Sequence, residues 1–396
     1  MAVERSPVFD DSERDDRRPG RHAEGTFTFL NRVAGDYWEH ARCLIQEWAD
    51  HIAEPAAYRD LRSRLRSDHD GEFRSAFLEL YLHESLIRAG FDVTFHPMVA
   101  GSDRQPDFYA ERRDVCFYLE ATVPGASKAA IGAQRRRADA LDVIDALADP
   151  NFYLSLERLE VGPKPLPAAK MRRKVMSWLR GLDPDRHGDG IRGPYFDWHD
   201  EGWVVRFGAI AVRPERRGAR PGHRAIGLYA DAEAQWIDDA GTIRTALGKK
   251  HRVYGVPDAP FIIAVGIYTS DHDRWGSANA LYGRDGVEIQ WTSSGQVVTR
   301  PARQPDGYFG APPDWKCQHV SAVLLVDQLM PWYVGRADAA LWKHPAPTYP
   351  LGETRLPVTT LATEGSKVVE HPPVISPSQF FGLPDPWPPG EPWPKE

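Results

Sequence analysis

Polar and apolar positions change period several times along the chain, and each change marks an element. Over residues 27–52 the apolar residues Phe29, Val33, Tyr37, Trp38, Ala41, Leu44, Ile45 and Trp48 recur at helical spacing, which predicts an amphipathic helix. Residues 58–65 read as a second, more polar helix, whose arginines Arg59, Arg62, Arg64 and Arg66 could contact phosphate but more simply form a solvated face. Over 73–87, Phe73, Phe77, Leu78, Leu80, Leu82, Leu86 and Ile87 leave almost no polar side, and a helix apolar nearly all round is a buried one. Gly90 stands where such a helix ends. Alternation then takes over. Residues 91–96, 105–112 and 116–123 each read as a strand, the first stopped by Pro97. In the third, Phe117, Leu119 and Ala121 fall on one face and Tyr118, Glu120 and Thr122 on the other.

Further on, a helix is predicted over 128–148, a strand over 151–159 and a helix over 167–182. Residues 183–202 are rich in turn formers and read as a long loop. Their His187, Asp189, His199 and Asp200 match no zinc spacing. A strand follows at 203–212 and a helix at 240–254. The continuous apolar runs 260–268 and 320–326 fit fully buried strands. From about Arg336 proline becomes frequent and regular structure is not expected. Phe380, Phe381, Trp387 and Trp393 would strap this tail onto the body. Residues 1–25, charged and poor in apolar groups, are expected to be disordered. The whole reads as an α/β chain: a helical cap at 26–70, a core at 71–182, an α/β extension packed on the core at 183–335, and an irregular tail at 336–396.

Composition adds limits. With 396 residues and 42% hydrophobic content the chain can bury a sizeable core. A net charge of −7 argues against a generally basic coat but leaves room for a local basic groove. Cys43, Cys116 and Cys317 are far apart and odd in number, a pattern that makes no disulfide framework and suits a reducing cytoplasm. No signal-peptide pattern follows Met1 and no apolar run would span a bilayer, so a soluble cytoplasmic protein without a membrane partner is expected.

Three acids then matter. Glu79 lies on the buried helix, Asp107 follows Pro106 at the start of the second strand, and Glu120 lies inside the third. A carboxylate on the inner side of a buried helix is costly unless paired, hydrogen-bonded or metal-bound. A turn at 112–114 would bring Asp107 and Glu120 to one end of two antiparallel strands. Converging carboxylates suit a hard cation such as Mg²⁺ or Mn²⁺. The plainer alternative pairs Glu79 with an Arg or His, makes Asp107 a turn cap and leaves Glu120 solvated. Two acid-free stretches carry clustered cations: 124–138 with Lys128, Arg135, Arg136 and Arg137, and 161–182 with Arg172, Arg173 and Lys174 among others. They suit a nucleic-acid path or, equally, ordinary basic helix faces.

Helix glutamate, strand, Pro-Asp, strand with Glu-x-Lys is the pattern of the PD-(D/E)xK nuclease superfamily, which the stretch from Glu72 to Lys128 resembles. The resemblance implies a restriction-endonuclease-like αβββαβ core with a mixed central sheet, the helix at 128–148 and the strand at 151–159 completing it. It implies Mg²⁺- or Mn²⁺-dependent hydrolysis of phosphodiester bonds in DNA, with Glu79, Asp107 and Glu120 as metal ligands. The lysine position holds Thr122, so the motif reads Glu-Ala-Thr. A lysine from elsewhere could replace it: Lys128, or preferably Lys250, on the helix before the buried strand at Phe261. Two other readings stay open, a catalytically inactive nucleic-acid-binding module on a nuclease fold and a protein-interaction factor whose acids are structural.

Overall fold

A computed structural model describes the chain except for residues 1–4, 100, 101, 114, 126, 127, 187–191, 219–223, 230–238, 251–256, 270, 272, 292–296, 366 and 394–396. The chain forms two units. The first takes Met1–Arg17, Gly25–Gly125 and Asp238–Glu396; the second takes Arg18–Glu24 and Ala126–Ile237. The first unit opens with helices α1 (Thr26–Arg32), α2 (Asp36–Asp50), α3 (Pro55–Leu65) and α4 (Asp70–Arg88), then strands β1 (Asp92–Phe95), β2 (Phe108–Arg112) and β3 (Val115–Thr122). The second unit supplies α5 (Lys128–Asp145), β4 (Phe152–Glu160), α6 (Ala168–Arg180), β5 (Arg192–Asp200), β6 (Trp203–Ala211) and β7 (Ile226–Tyr229). The first unit resumes with α7 (Asp239–Lys250), β8 (Phe261–Ile267), α8 (Trp275–Tyr282), β9 (Asp285–Trp291), β10 (Val297–Arg303), β11 (Ala322–Asp327), β12 (Asp338–Lys343), β13 (Thr359–Glu364), β14 (Lys367–His371) and α9 (Pro377–Phe381).

The central sheet of the first unit is mixed, in the order β1-β2-β3-β8-β11-β12-β13-β14. β3, β8 and β11 run parallel to one another, while β1, β2 and β3 form an antiparallel meander. Every residue of β8 is buried, as a continuous apolar run in the middle of a sheet requires. Alternation sorts the side chains onto two cores. Phe117, Leu119, Ala121, Ile262 and Ala264 pack with α2 and α4. Tyr118, Ile263 and Val265 pack with Ile243, Ala246 and Leu247 of α7 and with Leu281 of α8. On α4, Phe73 and Phe77 are 1% exposed, and burying side chains of this size contributes about 1.5–3 kcal/mol each.

Several expectations are corrected. The helix and strand after β3 do not complete the sheet that holds β3. β4 pairs with β6 and β7 in a separate four-stranded sheet, because its Leu154, Leu156 and Leu159 share a core with Met171, Val175 and Leu179 of α6 and with Val205 and Phe207. The parallel neighbour of β3 is β8, preceded by α7. The stretch 71–182 is therefore divided between the units. The helix expected over 27–52 breaks at Gly35, whose φ of 110° suits glycine alone. Residues 5–17 are ordered rather than disordered. Val8 is fully buried, Phe9 stacks on Phe27 at 5.6 Å, and Arg62 and Arg66 donate to the carbonyls of Pro7 and Val8. The arginines of α3 are thus not simply a solvated face. Within 183–202, β5 pairs with β6, burying Trp198. The proline-rich end adds β12, β13 and β14 to the sheet, with Pro345, Pro347, Pro350 and Pro357 falling between strands. The strap itself is present: Phe381 lies 5.0 Å from Trp48, Trp393 lies 5.4 Å from Trp38, and Trp387 Nε1 donates to the Pro331 carbonyl at 2.9 Å. Among the described residues no helix is long and apolar enough to cross a membrane.

Candidate active site

The β2–β3 hairpin sets the first part of the site. Phe108 pairs with Leu119, so Asp107 is placed next to Glu120 at the end of the hairpin away from its turn. The backbone N–H of Ala121 donates to Asp107 Oδ2 at 2.7 Å, pinning that carboxyl. Glu120, two residues on from Tyr118, shares its face of β3, the side against α7, and is only 2% exposed. The inward positions of α7, Ile243, Ala246 and Leu247, recur one turn later at Lys250, whose ammonium donates to Glu120 Oε1. Asp107, Glu120 and Lys250 are therefore linked through β2, β3 and α7. Thr122 ends β3 and pairs with Val265. Lys128 begins α5 in the second unit, and its side chain lies outside the described residues.

Glu79 comes from α4, on the opposite face of the sheet. Arg64 of α3 grips it with both arms of the guanidinium: Nη1 donates to Oε1 at 2.7 Å and Nη2 to Oε2 at 2.6 Å. Arg64 Nε also donates to Asp60 Oδ2 at 2.9 Å, one turn back on α3. Burial works against the Arg64 cation, but the Glu79 and Asp60 carboxylates outweigh it and hold its pKa above the usual value. His83, one turn beyond Glu79, stacks on Phe95 at 5.1 Å; burial lowers its pKa to about 4, and among the described residues its Nδ1 has no hydrogen-bond partner. Arg64, Glu79, His83 and His96 line one cavity. His96 holds a left-handed backbone at φ 46° and donates its N–H to the Asp107 carbonyl at 3.1 Å. The deepest acid on α4 is a different one. Glu84 is fully buried, with His51 Nδ1 2.7 Å from its Oε2 and Arg88 donating to its Oε1. It is a structural ion group.

Electrostatics singles out Asp107. Burial raises its pKa well above the ordinary carboxylate value, and the charges of Glu120 and then Glu79 raise it further. The Ala121 N–H and Lys250 offset this only in part. Two crowded carboxylates with too little positive charge are a hard-oxygen donor set, and they fit Mg²⁺ or Mn²⁺, which one or two carboxylates commonly hold. The expected three-ligand set is not formed. Among the described residues no three His, Cys, Asp or Glu side chains stand together to hold a metal, and both oxygens of Glu79 are engaged by Arg64.

The basic clusters divide. Arg135 lies 3.5 Å from Asp139, Arg136 donates to the Gly162 carbonyl and Arg137 to that of Leu159. Arg136 and Arg137 thus tie α5 to backbone carbonyls of the second unit. Arg172, Arg173 and Lys174 are exposed on α6, whose Met171, Val175 and Leu179 face the core. His187 and Asp189 lie outside the described residues, and Asp200 pairs with Lys170 at 2.8 Å. Sequence reasoning had set Arg64 aside; the available signal was Asp60 four residues earlier on the same helix. No family model, curated protein or solved structure matches the chain.

Proposed function

We propose that the chain is a divalent-metal-dependent nuclease on a restriction-endonuclease-like core, hydrolysing phosphodiester bonds in DNA. The observation that carries this reading is the grouping of Asp107, Glu120 and Lys250, with the lysine supplied by α7 where the strand offers only Thr122. The order α4, β1, β2, β3, α7, β8 supports it, with the second unit as an insertion between β3 and α7. Asp107 and Glu120 would hold Mg²⁺ or Mn²⁺, which supplies positive charge against the phosphate oxygens when bound. The Ala121 N–H and the Lys250 ammonium fix the two carboxylates before substrate arrives. Lys250 also places a cation where negative charge develops on the phosphate. Exposed Arg172, Arg173 and Lys174 would add sequence-independent phosphate contacts.

The test is plasmid cleavage in Mg²⁺ and in Mn²⁺. Wild type is expected to cut, and Asp107→Ala, Glu120→Ala and Lys250→Ala to lose cleavage while staying folded. Cleavage undiminished in all three variants would remove these residues from the chemistry. Salt-dependent DNA binding without cutting in either metal would make the chain a binding module.

A further inference from the structure

We propose that Arg64 is a phosphate-operated latch on Glu79. It withholds a third carboxylate from the metal until a substrate phosphate draws the guanidinium away. This rests on the nuclease reading above and concerns the regulation of the same site. In the structure the fork of Arg64 covers both oxygens of Glu79, so Glu79 cannot take a cation while the pair is closed. Yet Glu79 faces the same region, since it lines one cavity with Phe108, the residue after Asp107, and with His96, whose N–H donates to the Asp107 carbonyl. Releasing it adds uncompensated negative charge to that cavity, and a divalent cation relieves that charge.

Arg64 has the properties of the moving part. Its side chain retains 28% of its exposure, against 13% for Glu79, so a polyanion can reach it. A guanidinium fork fits two oxygens of a phosphate as well as it fits a carboxylate. Asp60, four residues earlier on α3, holds the same guanidinium through Nε and Nη2. It keeps a released Arg64 beside the site rather than loose in solvent. Arg64 then changes partner from one anion to another, and the net result is a third ligand that appears only when substrate is bound.

The experiment is calorimetric titration of the full chain with Mn²⁺ in the absence of nucleic acid. The variants are Glu79→Gln, Arg64→Gln, Arg64→Lys, the Arg64→Gln/Glu79→Gln pair and Asp107→Ala. The latch predicts that Glu79→Gln leaves wild-type affinity unchanged. Arg64→Gln should raise it about tenfold, a usual size for coupling between two ligands competing for one group, and the double variant should lose that gain. Arg64→Lys keeps the charge without the fork and should give part of the gain, which covers the case that Arg64→Gln does not fold. Sulfate, a tetrahedral stand-in for phosphate, should tighten Mn²⁺ binding in wild type and not in Arg64→Gln. Equal loss of affinity in Glu79→Gln and Asp107→Ala would show that Glu79 is already a ligand, and the latch would be wrong. Unchanged or weakened affinity in both Arg64 variants would make the pair merely structural. Binding in Arg64→Gln but not in wild type supports the latch. Binding in neither overturns the latch and the metal site together.

Discussion

Replacing Lys250 with alanine should cost stability as well as activity, and the size of the loss can be worked out. The Glu120 side chain is 3% exposed and that of Lys250 is 32% exposed. Breaking a wholly buried ion pair by removing one partner costs about 3–5 kcal/mol, whereas an exposed pair is worth about 0–1 kcal/mol. With one partner buried and the other a third exposed, an intermediate loss of roughly 2 kcal/mol is expected. Most of it is the penalty of leaving the Glu120 charge buried without its cation. Glu120→Gln should therefore restore much of what Lys250→Ala removes. Urea denaturation of the metal-free wild type, both single variants and the double variant gives the coupling energy directly. A Lys250→Ala loss below about 0.5 kcal/mol, the level of an ordinary surface substitution, with no coupling to Glu120, would show that the contact does not hold the site together. The same measurement establishes that an inactive Lys250→Ala protein is folded.

Burial and the neighbouring carboxylates make Asp107 hold its proton to a higher pH in the folded chain than in the unfolded chain. Stability of the metal-free protein should therefore fall as pH rises through the ordinary carboxylate range, until Asp107 itself ionises. Asp107→Asn should flatten that profile and stabilise the protein at neutral pH; urea midpoints across a pH series that show no difference from wild type would count against the crowded-carboxylate account. Trp387→Ala should cost about 3 kcal/mol, by emptying its niche and orphaning the Pro331 carbonyl, and equilibrium denaturation showing less than about 1 kcal/mol, the size of a typical point substitution, would mean the tail is not a strap. Reversing Arg172, Arg173 and Lys174 to glutamate should weaken DNA binding similarly for all sequences. It should also lower the slope of log affinity against log salt by roughly three, and an unchanged slope would leave α6 an ordinary solvated face.

Much of the first unit was legible because its information is local. Alternation in 116–123 assigned Glu120 and Leu119 to opposite faces, and the register of the hairpin agrees. The apolar runs at 260–268 and 320–326 became β8 and β11 because short apolar runs bounded by turn formers fit a sheet interior. The insertion was hidden for a physical reason: periodicity tells which residues face inward, not which element they face. A clue was present even so. Phe152–Glu160 alternates, as a half-covered strand does, whereas Phe261–Ile267 is apolar throughout, as the parallel neighbour of β3 must be. The Arg64–Glu79 grip depended on how α3 meets α4, which no spacing within either helix expresses. Lys250 could be named because it lies on a helix leading into a buried strand, yet only packing distinguishes it from Lys249 beside it.

The place of the second unit in the chain has a consequence for the order in which the protein is made. Synthesis delivers Asp107 and Glu120 early, then all of Ala126–Ile237, and only afterwards Lys250 and β8. Domains tend to fold as they emerge, so the four-stranded sheet can close while β3 still lacks its parallel neighbour. β8 then pairs with β3 when it emerges, and β11, made later, covers its other edge. A nascent chain, or one cut short anywhere in the second unit, carries both carboxylates without their ammonium. Assembly of the Asp107, Glu120 and Lys250 group is thus postponed until well past the middle of translation.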